Sequence, residues 1–93
     1  MSDLEKILTN ARKAIDQNLL HEALALLEHE SLKDDGEAIF LKGEIYYKLQ
    51  KWGESLNQFS TYLELFPEDK KAESYALIIQ NILQFYHKDL YNP

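Results

Sequence analysis

The sequence predicts an all-α fold built from antiparallel helical hairpins, and three features converge on it. Apolar residues recur at steps of three and four along most of the chain, the spacing that lines one face of a helix. Only three glycines and two prolines occur in 93 residues, and one proline is the last residue, so little of the interior is available for the tight turns of a sheet-rich fold. The apolar pattern also repeats with an offset of 32 residues.

Leu4, Ile7, Leu8, Ala11, Ala14 and Ile15 mark the first helix, expected from about Asp3 to Asp16, with Ser2 and Glu5 spaced as a capping box. Gln17-Asn18 interrupts that pattern, and Leu20, Ala23, Leu24 and Leu27 begin a second stripe that Leu19 and Leu26 broaden. The polar run Lys33-Asp34-Asp35-Gly36 reads as a turn, with Asp34 and Glu37 spaced as a second capping box. A third helix then carries Ile39, Phe40, Gly43, Tyr46, Tyr47 and Leu49 and stops near Gln50-Lys51.

The fourth helix starts around Trp52 and runs through Leu56, Phe59 and Leu63. Pro67 restrains the residue before it and cannot donate a backbone hydrogen bond, which places the helix end near Leu65. Glu68 and Asp69 suit the positive end of a fifth helix, whose inner stripe is Ala72, Tyr75, Ala76, Ile79, Ile82, Leu83 and Tyr86. Connections this short make sequential helices antiparallel neighbours.

An apolar fraction of 45% with six Tyr, four Phe and one Trp sets the chain apart from disordered acidic tails, which cannot bury enough surface to offset chain entropy. A formal charge of -6 favours basic partners and disfavours phosphate backbones. The absence of cysteine removes disulfides, thiolate nucleophiles and thiolate metal sites. The acidic start Met1-Ser2-Asp3-Leu4-Glu5 is unlike a secretory signal, and no run approaches the roughly 18 apolar residues of a bilayer span, so the expectation is a cytoplasmic protein without membrane binding.

Ala11, Ala14, Leu20, Ala23 and Leu27 align with Gly43, Tyr46, Trp52, Ser55 and Phe59, each 32 residues apart. A small residue in each first helix facing another in each second helix lets two helix axes approach. The stretch Ile39-x-x-x-Gly43-x-x-Tyr46, then Trp52-x-x-Ser55-x-x-x-Phe59-x-x-Tyr62 and Pro67, resembles the tetratricopeptide repeat family. Ser55 stands where that family usually has alanine and Tyr62 where it has a small residue. The first copy lacks a terminal proline, Glu30 replaces its last small residue, and its period is about two residues short of the customary 34.

The resemblance implies a single domain over 1–93: repeat 1 at about 4–35, repeat 2 at about 36–69 and a capping helix at about 69–89, stacked as a right-handed αα superhelix. It also implies a concave face lined by the first helix of each repeat. Matching positions give Glu5, Leu8, Arg12, Ile15 and Asp16, then Glu37, Phe40, Leu41, Glu44, Tyr47 and Lys48, then Lys71, Ser74, Ile78 and Asn81. Leu8, Arg12, Ile15, Phe40, Glu44, Tyr47, Lys48, Lys71 and Ile78 are the expected partner contacts, with Phe40 and Tyr47 foremost unless the last helix covers them. Leu8, Arg12, Leu41, Lys71 and Tyr75 stand where family members that clamp a chain-terminal carboxylate carry Lys, Asn and Arg, so that clamp is not expected.

Chemistry has little to work with. His21 and His29 are eight residues apart, about 12 Å along a helix, which is too far for both to ligate one metal. No serine belongs to a nucleophile motif, no carboxylate pair is singled out, and no glycine-rich phosphate loop occurs. Lys42, Lys48 and Lys51 lie beside Glu37, Glu44 and Glu54, which argues against a nucleic-acid track. The expected function is noncatalytic binding, without cofactor or metal, of a protein or peptide with basic and apolar side chains. Homodimerisation through Tyr47, Trp52, Tyr62, Phe85 and Tyr86 is the alternative.

Overall fold

A computed structural model describes the backbone from Ser2 to Tyr91 and the side chains from Ser2 to Phe85. The chain is all-helical: α1 (Asp3–Asp16), α2 (Leu20–Leu27), a single 3-10 turn (Glu30–Leu32), α3 (Gly36–Lys48), α4 (Trp52–Leu65) and α5 (Lys70–Tyr91), with no strand among the described residues. The expected inward place of Tyr86 lies outside the described side chains.

Local chemistry sets the ends. Ser2 Oγ accepts from the Glu5 amide at 3.2 Å, satisfying one of the free donors at the start of α1. The cap of α3 is Asp35, one residue later than the Asp34–Glu37 spacing suggests. Its Oδ1 accepts from the Ala38 amide at 3.0 Å, while its own amide closes a turn onto Leu32. Asp69 Oδ1 does the same for the Ala72 amide at the start of α5.

The 32-residue period reaches the backbone. Asn18 and Gln50 are the two non-glycine residues with positive φ among those described, at 62° and 61°. Around Asn18 the amide bonds back to Ile15 O at 2.9 Å and that of Leu19 to Ala14 O at 2.8 Å; around Gln50 the same bonds run to Tyr47 O at 3.0 Å and from Lys51 to Tyr46 O at 2.9 Å. Each is a Schellman motif, closing α1 and α3 alike. The next residues, Leu19 and Lys51, share a conformation near φ -91° and -92°, and α2 and α4 begin immediately after them. Two identical corners thus turn α1 back on α2 and α3 back on α4, and these pairs make the most extensive helix contacts together with α4 and α5.

Two apolar cores lie on opposite sides of α3. The first joins Leu8, Ala11 and Ala14 of α1, Ala23 and Leu27 of α2, Leu32 of the 3-10 turn, and Ala38, Leu41 and Ile45 of α3. The second is centred on Phe59, Ala72 and Ile79, with Phe40, Tyr47, Trp52, Leu56, Tyr62, Leu63, Tyr75 and Leu83 packed around them. Because α3 is covered on both sides it carries apolar residues around most of its circumference, as expected of a central helix. At its contact with α4, Gly43 has no side chain and the Phe59 ring fills the space, while Ser55 Oγ donates to Gly43 O at 2.7 Å.

Candidate functional site

The central position of α3 decides which residues remain for a partner. Leu8 and Leu41, expected on the open face, are buried at 7% exposure in the first core, because they lie on the sides of α1 and α3 that face each other and α2. Ile15 is half-buried against the same core. Phe40 and Tyr47 are also half-buried, since α5 lies over them. The Tyr75 ring stacks on Phe59 at 4.5 Å between centroids and meets Phe40 and Tyr47 edge-on at 6.0 and 5.0 Å. Trp52 packs edge-on against Tyr47 at 5.3 Å, so Tyr47, Trp52 and Tyr62 offer a self-association surface less area than their size suggests.

What stays open is a narrower strip of longer polar side chains. Glu5, Arg12 and Asp16 are exposed on α1, and their 32-residue counterparts on α3 are exposed Glu37, half-buried Glu44 and exposed Lys48. On α5 the strip continues through exposed Lys71, Ser74, Ile78 and Asn81. Side chains tie the three helices across it. The Arg12 guanidinium pairs with the Glu37 carboxylate, linking α1 to α3. Glu44 Oε2 accepts from Tyr75 Oη at 3.0 Å and lies 3.7 Å from Lys71 Nζ, linking α3 to α5. Burial, with Glu44 close by, pushes the Tyr75 hydroxyl up to about 12, so it remains a donor at neutral pH.

The strip carries both signs of charge, with acidic Glu5, Asp16, Glu37 and Glu44 beside basic Arg12, Lys48 and Lys71. Arg12 offsets Glu37 and Lys71 offsets Glu44 within the strip itself. Lys71 also sits over the Phe40 ring, with Nζ 5.4 Å from its centroid.

At one end of the strip, where α4 turns into α5, Glu37, Phe40, Tyr62, Phe66 and Asp69 line an open hollow of about 440 Å³. Leu65, Phe66, Pro67, Glu68 and Asp69 line a second hollow of about 480 Å³, which shares Phe66 and Asp69 with the first. Tyr62 meets Phe40 edge-on at 5.1 Å and Phe66 at 4.8 Å, forming a continuous aromatic wall. Tyr62 Oη donates to Asp69 Oδ2 at 2.9 Å. The hydrogen bonds from the Ala72 amide and Tyr62 hold the Asp69 carboxyl below its ordinary range, so it is charged at neutral pH. Of this corner only Phe40 was an expected contact. Tyr62, Phe66 and Asp69 were legible as a wide residue at a small position, an apolar residue before proline and a helix start, but not as one surface.

His21 and His29 are exposed, and the His29 Nδ1 accepts from the Ser31 amide at 3.1 Å, capping the 3-10 turn. No group of three or more His, Asp or Glu side chains among the described residues could hold a metal ion, and no described helix is long and apolar enough to cross a membrane. Comparison with family models, curated proteins and solved structures found no match for this chain.

Proposed function

We propose that the chain is a noncatalytic interaction module of the tetratricopeptide type, two helical hairpins closed by a longer helix, that holds a peptide or protein segment along the strip formed by α1, α3 and α5. The observation that carries the proposal is the pair of lateral ties, Arg12 to Glu37 and Glu44 to Lys71 and Tyr75, which set three alternate helices side by side. Alternate helices aligned in this way are what a stack of hairpins produces, and the recurring corner at Asn18 and Gln50 supports the same architecture. Side chains of mixed charge and an apolar position at Ile78 suit a segment carrying basic and apolar residues.

The test is affinity capture with the intact chain against a Lys48→Glu/Ile78→Asp variant, both positions being exposed, with folding checked by circular dichroism. One partner retained by the intact chain and lost by the folded variant supports the proposal. Equal retention by both contradicts it, and recovery chiefly of the chain itself favours homo-oligomeric assembly instead.

A further inference from the structure

Building on the interaction-module proposal, we infer that the corner between α4 and α5 is its anchoring pocket: the hollow walled by Phe40, Tyr62, Phe66, Glu37 and Asp69 receives a lysine or arginine side chain of the partner segment, and the adjoining hollow at Leu65–Pro67 receives an apolar neighbour. Three observations point there. The first hollow is lined by three aromatic rings and two carboxylates and by no cation, a combination that attracts an alkyl ammonium or guanidinium through both ring faces and charge. Arg12 already pairs with Glu37 and Lys71 with Glu44, so Asp69 is the carboxylate of the hollow that stands outside these two ion pairs.

The protein itself supplies the second observation. Lys71 rests its ammonium over Phe40 while facing Glu44, so this aromatic surface already accommodates one cation in the company of a carboxylate. The third is Gly36. Its φ is negative, so no backbone constraint demands glycine, yet a Cβ there would lie 2.6 Å from Phe66 Cε2. Glycine at the start of α3 leaves room for the Phe66 ring to lie against the helix and form the shared wall between the hollows. Leu65 and Phe66 remain 52% and 47% exposed, an apolar surface beside the carboxylates that fits a basic residue next to an apolar one.

The test is an amide chemical-shift titration of the full chain with a capped tetrapeptide, acetyl-Gly-Lys-Leu-Gly-amide, beside analogues carrying norleucine or glutamate in place of its lysine. Saturable shifts clustered on Glu37, Phe40, Tyr62, Phe66 and Asp69, obtained with the lysine peptide and reduced about three- to five-fold in affinity with norleucine, are expected. Asp69→Asn, which retains a good helix cap, and Phe66→Ala should each weaken binding by a similar factor while leaving the rest of the amide spectrum in place. Equal binding of the lysine and norleucine peptides, or shifts centred elsewhere, would overturn the pocket. Capture of a partner that depends on Lys48 and Ile78 but is unchanged by Asp69→Asn/Phe66→Ala would overturn it too, while leaving the interaction strip standing.

Discussion

Gly43 and Phe59 share one volume: a methyl group placed on Gly43 would lie 2.8 Å from Phe59 Cζ and 2.9 Å from Cε2. Phe59 is fully buried and stacked beneath Tyr75, so its ring has nowhere to retreat. The Ser55 hydroxyl, one turn earlier on the same face of α4 and bonded to Gly43 O, fixes the same crossing.

Gly43→Ala is therefore expected to destabilise the fold by about 1–2 kcal/mol, overpacking outweighing the better helix propensity of alanine. Urea denaturation measures it, and combining the change with Phe59→Leu should reduce the cost by relieving the ring. Gly36→Ala provides the contrast. Its obstacle is the half-exposed Phe66 ring, which can swing outward, so a change within about 0.5 kcal/mol is expected.

Gln50 carries a long side chain at φ 61°, where glycine is unstrained. Gln50→Gly should stabilise the protein by about 0.5–1 kcal/mol, and Asn18→Gly by less, since asparagine tolerates this conformation better. Thermal melts of the two variants check the order; a lower melting temperature for Gln50→Gly would show that the side chain makes a compensating contact.

Tyr75 links stability to alkaline pH. Its hydroxyl is raised from 10.0 to about 12 in the folded chain, so between those values the unfolded chain has lost a proton that the folded chain retains. The associated stability is fully present below pH 10 and is lost as pH rises toward 12. Tyr75→Phe should be less stable at neutral pH but show a shallower decline across that interval, measured as denaturation midpoints at successive pH values.

Phe40 joins α3 to α4 through Phe59 and Tyr62 and to α5 through Tyr75. Phe40→Ala should cost about 2–3 kcal/mol, less than a fully buried phenylalanine, and hydrogen exchange should show protection falling first in α5. Its loss of partner binding would consequently not distinguish contact from unfolding, which is why exposed Lys48 and Ile78 are the better probes.

The helices and most of their ends were legible because periodicity, Pro67 and Ser2 act locally. The small residues at 11, 23, 43 and 55 were legible as crossings because the repeat presents them twice, and all four are buried. Leu32 was not: a single leucine in a polar run has no period, yet it is fully buried in the first core. Leu8 and Leu41 were assigned to the open face because family position alone does not say how far neighbouring helices overlap. Sequence spacing likewise gave no sign of the α4–α5 corner, since Glu37 and Phe40 meet Tyr62, Phe66 and Asp69 only after α3 and α4 have folded back on each other.

Site-specific photo-crosslinking from the two sides of the molecule tests the central claim most directly. Reporters at exposed Arg12, Lys48 and Ile78 face the strip, whereas reporters at exposed Glu22 and Asn57 lie on α2 and α4. One partner crosslinked from the first three positions and not from the last two is the predicted result. Crosslinks of equal yield from α2 and α4, or from those helices alone, would contradict it.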